Sequence, residues 1–123
     1  MGARAVRAAV EALLAPVSTA TGLRVTAHAD DVKPEPAHPV GIAWVESFGP
    51  TDVMPSTALL YRVKLLLAVA KVEPGAADND LDDLADDVRT ALDDTDQLLW
   101  TVATRGTYLE SFPSYTFDIE MRA

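Results

Sequence analysis

The sequence predicts a single α+β domain in which an antiparallel or mixed sheet packs against two helices, in the order α-β-β-β-α-β-β. Three observations carry that expectation. Two segments repeat apolar residues at helical spacing, five others read as strands, and eight prolines cut the chain between them. At 123 residues the chain has the length of one domain, with roughly two-thirds of its unfolded surface available for burial in one core.

Residues 2–15 place Val6, Val10, Leu13 and Leu14 at helical spacing, with Arg4, Arg7 and Glu11 mostly on other faces, and Pro16 is expected to end that helix. In "GLRVTAHA", residues 22–29, Leu23, Val25 and Ala27 alternate with Arg24, Thr26 and His28, as in a half-buried strand. Three prolines in "DDVKPEPAHP" then predict an extended, exposed loop. A second strand follows over residues 40–48 with Ile42 and Trp44 on one face, and "GPTDVMPS" reads as a loop carrying Val53 and Met54 near its tip.

Residues 57–72 fit two periods. Alternation aligns Tyr61, Val63, Leu65, Leu67 and Val69, while helical spacing aligns Leu59, Leu60, Val63, Leu66, Leu67 and Ala70 equally well. The strand reading is preferred, because Arg62 and Lys64 alternate as solvent-facing residues and Pro74–Gly75 read as a turn into a clear helix. That helix spans 78–93, where Leu81, Leu84, Ala85, Val88 and Leu92 form one apolar face and Asp82, Asp83, Asp86 and Asp87 the wet one. Asp78, Asn79 and Asp80 are expected at its N-cap and first turn. A calcium loop starting at Asp78 needs glycine at position six and glutamate at position twelve, where Asp83 and Arg89 stand. The chain closes on residues 98–112 and 114–122. The latter alternate Tyr115, Phe117, Ile119 and Met121 against Thr116, Asp118, Glu120 and Arg122, and the two are expected to pair through a loop between Gly106 and Pro113.

Composition excludes more than motifs do. Nineteen acidic against ten basic residues give a net charge of −9, a surface that repels nucleic-acid phosphates and anionic membranes. No cysteine is present, which removes disulfides, thiolate nucleophiles and cysteine-bound metals. The basic start and apolar middle of the first twenty residues are interrupted by Glu11, and Val6 stands where a myristoylation signal needs Ser or Thr, so a soluble cytosolic chain is expected. His28 and His38 with Asp30 and Asp31 are the residue types of a zinc or iron site, but nothing in the proline-rich segment pre-orders them. No glycine-flanked nucleophilic serine and no phosphate-cradling glycine loop occurs, and Trp44 and Trp100 read as core. No catalytic, cofactor or metal residue is expected. What remains is strand edge and two apolar-tipped loops, 46–58 and 106–113, resources for assembly rather than catalysis.

The succession "VRAAVEALLAP", a proline-broken loop, the strand "LLYRVKLLLAVAKV", the helix "LDDLADDVRTAL" and the pair "LLWTVATRGTYLESF" and "YTFDIEMRA" resembles the tail terminator proteins of long-tailed bacteriophages, also called tail completion or head–tail joining proteins. The resemblance covers nearly the whole chain and rests on architecture and texture. It implies a structural virion protein, made in the host cytoplasm, that forms a hexameric ring on the head-proximal end of the tail tube. Its implied partners are further copies of itself, the major tail tube protein and the head completion or neck protein, with DNA passing through the lumen without being held. No cofactor and no catalytic residue come with it. Under this reading Phe48, Val53, Met54, Tyr108, Leu109 and Phe112 are the candidate interface residues, with local packing beneath the loops as the competing account. Two further readings fit the same resources: another neck or head-closure subunit, and a cytosolic α+β domain binding a small ligand between Trp44 and Trp100.

Overall fold

In the computed structural model, which describes residues 2–26, 33–35, 37–50, 59–70, 74–96 and 98–122, three helices accompany one five-stranded sheet. The elements are α1 (Ala3–Leu13), α2 (Ala15–Thr21), β1 (Arg24–Thr26), β2 (Val40–Pro50), β3 (Leu59–Ala68), α3 (Pro74–Asp93), β4 (Leu98–Tyr108) and β5 (Phe112–Arg122). The sheet order is β1-β2-β3-β5-β4, with β1 parallel to β2 and every other pair antiparallel. This is the expected α+β class with a mixed sheet. It has one more helix than the sequence reading allowed.

The extra helix comes from Pro16. Lacking an N–H and clashing with the preceding turn, a proline breaks a helix interior yet suits a first turn. Here α1 stops at Leu13 and α2 restarts at Ala15 with Pro16 in its opening positions, pivoting on the fully buried Leu14. A second correction concerns α3. It begins at Pro74, so Pro74 and Gly75 are helical rather than a turn, and Asp78–Asp80 lie inside the helix rather than at its cap. Proline pre-sets the φ of a first helical turn, which explains the earlier start.

The long strand is β3, as alternation indicated. Register with β5 sets Val63 opposite Ile119, Leu65 opposite Phe117 and Leu67 opposite Tyr115, all on the helix-covered face. Against them pack Val6 and Val10 from α1 and Leu81, Leu84, Val88 and Leu92 from α3, each nearly or wholly withdrawn from solvent. Each such aliphatic side chain stabilises the fold by about 1.5–3 kcal/mol. The strand β3, helix α3 and strand β4 form a crossover in which α3 spans one face, and β5 then enters the gap between β3 and β4.

Of the expected 22–29 strand, Arg24–Thr26 pairs with β2 among the described residues, and residues 27–29 lie outside them. The described part of the proline-rich stretch, residues 33–35 and 37–39, is tied down by hydrogen bonds rather than left as a plain extended loop. Glu35 and His38 exchange backbone hydrogen bonds, and the His38 Nδ1–H donates to the Gly22 carbonyl at 3.2 Å. Gly22 closes α2 with φ +77, and a Cβ there would collide with the Ala37 carbonyl oxygen. Left-handed backbone costs an L-residue about 1–2 kcal/mol, and the collision adds to it. Gly22→Ala is therefore expected to lower stability by at least about 1 kcal/mol in chemical denaturation, and a midpoint unchanged from wild type would refute this account.

Candidate functional site

The helices cover one face of the sheet, so alternate residues of each strand point away from them. Across the strands this open face presents Trp44, Lys64, Asp118 and Val102 in one row and Arg62, Glu120 and Leu99 in the next. Near the other end of the sheet the same face is closed by a second, smaller cluster of Val40, Ile42, Ala68 and Tyr108, with Leu66 and Phe112 packed against it. The open part carries three exposed large apolar side chains: Leu99 at 61%, Val102 at 45% and Trp44 at 36%. The sequence predicts Trp44 in the core; it shares a face with Ile42 as expected, but that face is the one the helices leave uncovered.

Between these apolar groups runs an ion-pair row. The Lys64 ammonium lies 2.5 Å from Asp118 Oδ1 and 3.4 Å from Glu46 Oε2. The hydrogen bond to Asp118, with smaller help from Glu46, holds Lys64 above its ordinary pKa against a partial desolvation cost. Lys64 is thus charged at neutral pH.

At one side of the sheet lies β4, an eleven-residue edge strand; the opposite edge is the three-residue β1. A register shift between Trp100 and Val102 bends β4 locally, a common means of blunting an edge. The segment "LLWTV" is apolar on both parities. Leu98 and Trp100 enter the main core, while Leu99 and Val102 emerge on the open face. Sequence reading assigned Leu99 and Val102 no role. The signal available was this two-sided apolarity, which ordinary alternation does not require.

The expected interface residues fall at opposite ends of the sheet. Phe48, 63% exposed, stacks on Tyr61 with ring centroids 5.4 Å apart. Tyr108, Leu109 and Phe112 sit at the β4–β5 turn, beside Ala68. Tyr61 and Ala68 are seven residues apart on β3, a separation of about 23 Å. Val53 and Met54 lie outside the described residues. Tyr108 is buried and Phe112 half-buried in the smaller cluster, so their part is packing, whereas Leu109 projects with 46% exposure.

Helix α3 divides its aspartates between two flanks. Toward β4, Asp78 pairs with Arg105, Asp82 accepts from the Tyr115 hydroxyl at 3.1 Å, and Asp93 accepts from Trp100 Nε1 at 2.7 Å. Arg89 adds contacts to Asp86 at 3.6 Å and Asp93 at 3.7 Å. Arg105 also lies over the Tyr115 ring at 5.5 Å, and its pKa is raised first by the hydrogen bond to Asp78. On the other flank Asp80, Asp83 and Asp87 face a groove beside α2 with no cation among the described residues that line it. Among the described residues no three His, Asp or Glu side chains converge on a metal-binding point, and His28, Asp30 and Asp31 lie outside them. Trp44 and Trp100 emerge on opposite faces of the sheet, so they do not line a common pocket. No helix among the described residues is long and apolar enough to cross a membrane.

In comparisons with known proteins, the chain matches no family model and no curated sequence.

Leu109 and Glu110 both take positive φ, +50 and +65, and the Ser111 N–H donates to the Tyr108 carbonyl, a turn that Asn-Gly fills without strain. Leu109→Asn with Glu110→Gly is expected to stabilise the chain by about 1 kcal/mol, read as a raised denaturation midpoint. Arg105→Ala, on a solvent-screened contact, is expected to cost under about 1 kcal/mol. Leu81→Ala beneath the same helix is expected to cost about 2–5 kcal/mol, and equal losses at the two positions would contradict this division.

Proposed function

We propose that this chain is a structural virion protein that forms a ring at the head-proximal end of a long-tailed phage's tail tube, ends tube polymerisation and joins the tail to the neck. The family resemblance described above supplies the identity of the assembly. The observation that carries the reading on physical grounds is the long β4 edge, continuous with an open sheet face bearing exposed Leu99 and Val102. An edge strand with unpaired backbone groups and adjacent apolar side chains is equipped for contact with another chain. An acidic ring also suits a lumen through which DNA must pass unheld, because like charge removes the attraction that would arrest it. The reading gives the chain no catalytic role; its partners are further copies, the tail tube protein and the head completion protein. Placement of the two tryptophans on opposite faces weighs against a ligand-binding domain.

Mass by light scattering across a concentration series, with negative-stain images of the same sample, tests the proposal. Six-fold rings with a central hole are the expected result, either spontaneously or after addition of purified tail tubes. A chain that stays monomeric and leaves the tubes uncapped would overturn it.

A further inference from the structure

The groove beside α3 has an apolar floor. Leu13, Val17 and Ala91 line one part and Val69, Ala77 and Leu84 the other, in two adjoining hollows of about 530 and 210 Å³ that meet at Asp87. One wall carries Asp80, Asp83 and Asp87 of α3 and Asp94 just past its end, and among the described residues none of these makes a side-chain ion pair or hydrogen bond and no lysine or arginine lines either hollow. The contrast with the β4-facing flank is sharp, since there the aspartates meet Arg105, Arg89, Tyr115 or Trp100. Four carboxylates beside an apolar floor fit a surface that is itself apolar and cationic.

The same chain carries such a surface on its opposite side. On the open face of the sheet, Arg62 of β3 and Arg122 at the end of β5 are exposed and unpaired, with Leu60 opposite Arg122 and the exposed Leu99 beside them on β4. Glu120 stands between Arg62 and Leu99 without a salt bridge to Arg62, so the patch carries two guanidinium groups against one carboxylate. Lys64, one row away, is held by Asp118 and Glu46 and contributes little free charge.

We infer that the α2–α3 groove of one copy receives the Arg62–Arg122–Leu99 patch of a second copy. The choice of a second copy as occupant rests on the ring reading, and the complementarity of charge and apolar surface on the two sides of this chain supports it. Because the surfaces are different and lie on opposite faces, one copy presents both at once. That is the requirement for a head-to-tail contact, which closes into a ring or grows as a filament according to the rotation per subunit.

Charge reversal tests this. Wild-type protein in sedimentation velocity is expected to associate, and Asp83→Lys with Asp87→Lys, or Arg62→Glu with Arg122→Glu, is expected to weaken association at least about a hundredfold. The chain combining all four reversals is expected to associate again, and that recovery excludes misfolding as the cause of the loss. Circular dichroism of each variant should match wild type. Association that survives either reversal, or a combined variant that stays apart, overturns the contact and leaves the ring reading standing. Filaments lost on reversal and recovered in the combined variant support the contact while counting against the ring. A wild-type chain still monomeric at about 1 mM overturns the contact, and capping of tail tubes by that chain then decides the ring reading separately.

Discussion

The pairing of β3 with β5 is the constraint on which the rest of this structure depends. β5 alternates apolar and polar residues and β3 does so over Tyr61–Leu65, and their register places Val63, Leu65 and Leu67 beside Ile119, Phe117 and Tyr115 on one face. A slip of β5 by one residue against β3 would turn Ile119, Phe117 and Tyr115 away from the helices and bring Asp118 under them. Burial of that single face fixes the register, and the register fixes what α1 and α3 can cover. It also decides the topology, since β5 reaches its central place only if β3, α3 and β4 first form a crossover that leaves the gap.

The surfaces available for assembly are consequences of the same parity. With helices on one side only, whatever alternates with the core must stand on the open face, and there the chain places an ion-pair row flanked by Trp44 and Val102. Where the apolar pattern continues onto that side, the second cluster around Ile42 and Tyr108 closes part of it. Leu99 and Val102 stay uncovered because they point to the face the helices leave open, as Trp44 does.

Charge follows a comparable division. A net charge of −9 is repulsive in bulk, yet the repulsion is unevenly distributed. On α3 one flank spends its carboxylates on fastening the helix to β4 and β5, and the other faces an apolar groove without counter-charge. Exposed pairs of the first kind contribute little stability individually. Their arrangement matters more, because it leaves Asp80, Asp83 and Asp87 together beside the groove, while Arg62 and Arg122 stand on the opposite face with one carboxylate, Glu120, between them. A chain organised this way has two unlike ends, which suits the proposed head-to-tail assembly.

Much of this was legible in the residues. The inward set of β5, the apolar stripe of α3 and the strand character of 59–68 follow from periods of two and 3.6, which are local properties of the backbone. Pro16 misled because a proline marks a boundary equally well when a second helix starts at once, and Pro74 did so because a helix start and a turn share that residue. The candidate contacts were harder to foresee. Tyr108 and Phe112 looked like a loop's apolar tip and instead fill a small core, while Leu99 and Val102 looked like an ordinary strand and are exposed. The sequence by itself determined which residues of each element share a face. Which face is covered, which strand stands at the edge and which aspartates find a cation were decided only by the tertiary structure, because each depends on neighbours that are far apart in the chain.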